Sequence, residues 1–289
     1  MVTFSTRLVL RFAALVLAVL ATGCASALHK ASQRFADNLS TAILSEDDPG
    51  TVRDGVPAYL LLIDGLIQGD PQNAGLLLAG ANLYGAYAGG FVGETGRAQR
   101  LAQRAFDYAR RAACARGSTL CEAQAQPFEP FAAAVAQASR KDLDLLFGLA
   151  SAWAGCIQQN SGDWNAIADI PKVQVLLERV IALDGQYQDG TPYMYLGVLQ
   201  SLRPASLGGK PELGRAAFEH AIALSGGRNL MAKTLYAQYY ARLVFDQELH
   251  DRLLREVLAA PTDAPRLTLI NTLAQQRAQA LLDSGKDYF

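Results

Sequence analysis

Histidine and cysteine are scarce. Three His and four Cys in 289 residues leave little material for a metal centre or redox chemistry. Charge is thin as well: Asp, Glu, Lys and Arg make up 18% of the chain, and 26 basic against 27 acidic residues give a net charge of −1. That excludes a nucleic-acid binder relying on a strong basic field, and an acidic tail. No G-x-S-x-G, H-E-x-x-H, P-loop or Rossmann glycine pattern is present. His29 lies near the N-terminus, His220 beside Glu219 on a helix where adjacent residues do not face each other, and His250 in ELHDR reads as a solvated surface residue. What is abundant is apolar. A hydrophobic content of 51% is far above that of a disordered chain. These features predict a globular, nearly neutral, non-catalytic protein with no cofactor.

The N-terminus carries Arg7 and Arg11, then an uninterrupted apolar run from Phe12 to Ala21. The run is too short to span a bilayer but suits a secretory signal. It ends in Leu20-Ala21-Thr22-Gly23-Cys24, which resembles a bacterial lipoprotein cleavage box. Residues 1–23 are therefore read as a signal peptide, Cys24 as the acylated residue, 24–34 as a tether and 35–289 as one domain. An ordinary signal peptide with an incidental Cys is the alternative. Ala25 stands where Asp would mark inner-membrane retention, so the expected site is the periplasmic face of the outer membrane, held by the lipid anchor. In that oxidising compartment, Cys114 and Cys121, separated by ARGSTL, are a candidate disulfide or a pair of free thiols. Cys156 reads as a small buried hydrophobe.

Past the signal, apolar residues recur at three and four, and alternating strand patterns are nearly absent. Phe35, Leu39 and Ile43 mark a first helix, stopped by Asp47-Asp48-Pro49-Gly50; Tyr59 to Leu66 mark a second, broken at Gly69-Asp70-Pro71. Further helices are predicted near 72–89, 95–116, 141–159, 171–184, 191–203, 211–225, 229–245, 247–259 and 266–284. The fold class is all-α. Ala102, Phe106 and Ala109 match the second-helix pattern of a tetratricopeptide pair, and looser copies follow at Val173, Phe218 and Leu249. Glu256 departs from the small residue expected in the last copy. Tyr193, Leu196 and Gly197 form the closest first helix, with Tyr236, Leu149 and Ala79 opening the others. The expected architecture is a modified tetratricopeptide-like array of about four helix pairs plus extra helices, enclosing an apolar groove or pore. A generic helical bundle is the alternative.

In such an array one face of each first helix lines the concave side. Those positions are Leu77, Ala81 and Tyr84; Phe147, Ser151 and Ala154; Met194, Val198 and Leu202; and Thr234, Gln238 and Ala241. None is charged, with Arg242 the nearest exception. Tyr87 and Trp153 join them as candidate ligand contacts. A carboxylate guest would need a cationic clamp, so this face suits a small apolar or amphipathic ligand. The same side chains could instead pack on one another or on a covering helix. Leu207, Gly208 and Gly209, in the segment inserted between two helices, are a candidate lip or partner loop.

These stretches, in this order, resemble the T component associated with tripartite ATP-independent periplasmic (TRAP) transporters. The resemblance is carried by LYGAYAGGF at 83–91, RAFDYARRA at 104–112, LASAWAGCI at 149–157, IPKVQVLLERVIALD at 170–184 and YLGVLQSLRPASLGGKPELGRAAFEHAIALSGG at 195–227. It implies a periplasmic helical lipoprotein with an apolar pore in each subunit. It also implies a homotrimer that binds the substrate-binding P component and passes a hydrophobic ligand. An outer-membrane scaffold for protein assembly is the competing expectation.

Overall fold

The computed structural model describes residue 38 and residues 40–289. Cys24, the signal segment and the tether lie outside them. Among the described residues the regular structure is helical, with no strand. The α-helices are α1 (Pro49–Gly69), α2 (Ala74–Phe91), α3 (Thr95–Ala115), α4 (Phe128–Ala136), α5 (Leu143–Gln159), α6 (Trp164–Ala168), α7 (Ile170–Leu183), α8 (Thr191–Gln200), α9 (Pro211–Leu224), α10 (Leu230–Leu235), α11 (Gln247–Ala259) and α12 (Thr268–Tyr288). α10 continues into wider π-helical turns over Tyr236–Ala241, which no proline or glycine in that stretch announces.

Local chemistry explains most boundaries. Asp48 is the N-cap of α1: its carboxylate accepts the amides of Gly50 and Thr51, and Pro49 occupies the first turn where its missing N–H costs nothing. The Asp-Asp-Pro-Gly run, expected to stop a helix, thus also starts the next one. Asn73 caps α2 through Leu76 and Asp246 caps α11 through Leu249. Two helices escaped the periodicity. α4 contributes only Phe131 and Val135 to the interior, and α6 is five residues long, held by Asp163.

Successive helices pack as neighbours: α2 on α3, α5 on α7, α8 on α9, and α10 on α11, with α3 against α5 and α7 against α8 joining consecutive pairs. Small residues sit where backbones meet. A Cβ on Gly80 would come within 2.9 Å of the Tyr108 ring, and one on Gly197 within 2.7 Å of the Phe218 ring. Two hydrophobic cores result. The larger runs through α1 to α8 and includes Leu145, Leu146, Leu149, Leu176 and Leu177; the smaller gathers Phe218, Tyr236, Leu254 and the inner face of α12. Each fully buried leucine contributes about 1.5–3 kcal/mol. Cys114 and Cys121 are joined by a disulfide that ties the end of α3 to the segment after it, and Cys156 is buried.

Candidate functional site

The predicted groove positions divide into three groups. In the first pair, Leu77, Ala81, Tyr84 and Tyr87 are all buried because α1 lies on this side of α2. The Tyr84 hydroxyl donates to Asp64 Oδ2 at 2.7 Å, and Tyr87 donates to the Arg53 carbonyl at 3.1 Å, both on α1. Arg104 Nη1 completes the Asp64 cluster at 2.9 Å, and Tyr108 donates to Oδ1 at 2.6 Å. Burial, and then the Asp64 hydrogen bond, push the Tyr108 hydroxyl up to about 12.

The middle of the face is more open. Phe147, Ser151 and Ala154 on α5 and Met194 and Val198 on α8 are half-buried, and Leu202 is exposed. Phe147 lies 5.5 Å from the Tyr187 ring and 5.8 Å from Tyr195, forming an aromatic knot between the second and third pairs. Trp153 turns inward instead, stacked on Phe106 at 5.0 Å and edge-on to Phe131 at 5.8 Å.

At the far end α12 covers α10. Thr234 is buried, its hydroxyl bonded to the Leu230 carbonyl at 3.1 Å, and Gln238 accepts from Arg277 Nε at 2.7 Å. Arg242 is engaged by the same helix, donating to the Leu281 carbonyl and to Ser284. His250, expected at the surface, is fully buried. Its Nε2 faces Arg242 Nε at 3.3 Å, its Nδ1 faces Asp251 at 3.0 Å, and its ring meets Phe289. The periodicity of ELHDR could not reveal the chain end that folds over it.

The loop between α8 and α9 holds Leu207 66% exposed. Gly208 has a φ of +78°, and a Cβ on Gly209 would collide with the Arg203 carbonyl, so the turn needs both glycines. Amides of Leu207 and Gly209 both donate to the Pro204 carbonyl at 3.0 Å.

Two cavities lie elsewhere, and none of the groove positions lines either. One, of about 450 Å³, opens where α1 begins, α2 ends and α12 passes. The other, of about 570 Å³, is a charged cleft between α9, α10 and α11. Its ion pairs are Arg215–Glu219 at 2.9 Å, Lys233–Glu256 at 2.7 Å and Arg252–Glu256 at 3.3 Å. Glu256, the departure from the repeat pattern, thus bridges α10 and α11 through Lys233, whose ammonium holds the carboxyl below its usual range. Sequence periodicity missed both cavities because their walls come from segments far apart in the chain.

No group of three or more His, Cys, Asp or Glu among the described residues is placed to hold a metal ion. None of the described helices is long and apolar enough to cross a membrane. Among known proteins, the chain is similar to an uncharacterized protein of Treponema pallidum (strain Nichols), 26% identical over 265 residues that cover 84% of this chain and 81% of the relative. The profile of the TRAP transporter T-component family matches residues 45–289, spanning every α-helix named above. An accessory role in TRAP transport and a periplasmic setting follow from that match. The chain belongs to the TRAP transporter T-component family.

Proposed function

We propose that the protein is a non-catalytic lipoprotein accessory, anchored through Cys24 at the periplasmic face of the outer membrane. It binds a small apolar ligand and docks the substrate-binding P component of its transporter. The observation that carries this reading is the family match over residues 45–289. The paired helices fit a tetratricopeptide-like array with insertions, in which α1 and α12 close the ends of the concave face. The ligand then lies against Phe147, Ser151, Met194, Val198 and Leu202, the open and uncharged middle. Leu77, Ala81, Tyr84 and Tyr87 are covered by α1, Thr234 and Gln238 by α12, and Trp153 turns into the core, so the ligand contacts are confined to that middle. Leu207, Gly208 and Gly209 offer the partner a pre-shaped loop. A homotrimer would cover the outer face of α1, where Leu61, Leu62 and Leu66 are exposed.

The test is mass spectrometry of the organic extract of purified protein, beside pull-down of the P component. Wild-type protein retains an apolar molecule and captures its partner. Ser151→Glu, which sets a charge on the half-buried face, loses the molecule while its circular dichroism is unchanged. Absence of both activities from wild-type protein would sink the reading.

A further inference from the structure

The two tryptophans of the chain are placed in opposite ways. Trp153 is buried and stacked on Phe106. Trp164, the first residue of α6, is 83% exposed. The short helix does not need it. Asp163 caps α6 by accepting the Asn165 amide at 2.9 Å, and Ala166 and Ile167 seat it on the larger core. An indole carries more apolar surface than almost any other side chain, and leaving it in water forgoes the gain of burial.

The position of Trp164 in the fold is specific. Gln99 Nε2 donates to the Gln159 carbonyl at 3.0 Å, so the end of α5, with Trp164 shortly after it, lies beside the first turns of α3. Arg116 and Asp144 pair at the opposite ends of the same two helices. Tyr87 joins the start of α3 to the start of α1: the Arg97 guanidinium lies over its ring at 5.7 Å, and its hydroxyl donates to the Arg53 carbonyl at 3.1 Å. Lys172 Nζ, in the first turn of α7, donates to the Gln124 carbonyl at 2.8 Å, just ahead of Phe128, the exposed first residue of α4. One end of the molecule therefore gathers the starts of α1, α3, α4 and α7 with Trp164 and Phe128.

The chain also enters at this end, through the Asp48 cap of α1. Cys24 stands 14 residues before residue 38, a stretch that spans at most about 50 Å when extended. The opposite end lies a further helix length away, about 30 Å for the 21 residues of α1. Charge here is mixed. Arg97 and Arg100 are exposed and make no ion pair among the described residues, Glu94 and Glu129 are exposed as well, and Asp169 pairs with Lys172. The aromatic side chains, rather than net charge, therefore decide what this end meets.

Resting on the lipid anchor proposed above, we infer that this end of the molecule sits on the phospholipid surface, with Trp164 and Phe128 entering the headgroup region. An indole suits that layer, because its ring lies on the first acyl carbons while its N–H reaches phosphate and ester oxygens.

Tryptophan fluorescence of the acylated full chain in phosphatidylcholine vesicles tests the assignment, with Trp164→Phe giving the signal of buried Trp153 alone. Bromines on the upper acyl carbons of the lipid are expected to quench the Trp164 emission by about half or more, as an interfacial indole requires, and aqueous acrylamide loses access to it. In the Trp164→Phe background, Phe128→Trp is quenched by the same lipid, whereas Leu213→Trp, at an exposed position of α9, is not. A chain that does not float with the vesicles overturns the anchor and this inference together. A chain that floats with Trp164 unquenched by bromine, or with position 213 quenched equally, overturns this inference and leaves the anchor standing. So does a Trp164 shielded from acrylamide only when the P component is added, which assigns the residue to a protein interface.

Discussion

Tyr108 on α3 donates its hydroxyl to Asp64 on α1 at 2.6 Å, and the other oxygen of that carboxylate takes Tyr84 and Arg104. One acidic side chain therefore ties the first three helices together. Replacing it strands two buried hydroxyls, so Asp64→Ala is expected to lower stability by about 2–4 kcal/mol, read by urea denaturation. The alkaline limb carries the same signature. Tyrosine ionises near pH 10 in the unfolded chain, whereas folded Tyr108 keeps its proton up to about 12. The folded state therefore binds more protons in that interval. Stability is complete below pH 10 and falls as pH rises toward 12. Tyr108→Phe should melt earlier at pH 7 yet lose less between pH 10 and 12.

Gly197 and Phe218 set the approach of α8 and α9. Helix propensity alone would make Gly197→Ala stabilising by about 1 kcal/mol. With the new Cβ only 2.7 Å from the Phe218 ring, overpacking dominates and the variant should lose about 1–3 kcal/mol. Adding Phe218→Leu makes room, and a double-mutant cycle should show the two substitutions to be non-additive.

Lys233 and Glu256 form an ion pair between α10 and α11 at 2.7 Å. The carboxylate is partly exposed and the pair screened, so Glu256→Ala should cost only about 0.5–1 kcal/mol. Because its folded carboxyl is held below the ordinary value, the contribution is present at neutral pH and lost as pH falls. Melting temperatures of wild type and variant should converge on acidification and in high salt.

Cys114 and Cys121 close a short loop, with a sequence separation of 7. Restricting the unfolded chain over that span contributes about 2 kcal/mol. Cys114→Ser should lower the guanidinium midpoint accordingly. Native protein should yield no labelling at 114 or 121, and Cys156 should react only on unfolding.

The helices were legible in the sequence wherever an apolar stripe ran for three turns or more, as at 95–116 and 247–259, because residues three and four apart share a face by geometry alone. α4 and α6 were not, being too short to repeat a period. Glycines at 80 and 197 stand where an aromatic ring of the neighbouring helix takes the place of a Cβ, which only the packing discloses. What covers each face was not legible. Leu77, Ala81 and Tyr84 read alike whether a helix, a ligand or a neighbour lies against them. His250 read as a solvated residue until the C-terminal turn was seen to lie over it. The Gly89–Gly93 cavity was equally hidden, because its walls join residues near 50, 90 and 273.

The amino-acid sequence by itself determined that the described residues are helical and that the predicted groove face, from Leu77 to Gln238, carries no charge. Those properties depend on neighbours a turn apart. Only the tertiary structure decided that α1 and α12 cover the two ends of that face, that Asp64 joins three helices, and that α2 ends against a cavity. Each of those depends on which distant segments meet, and near neighbours carry no record of that.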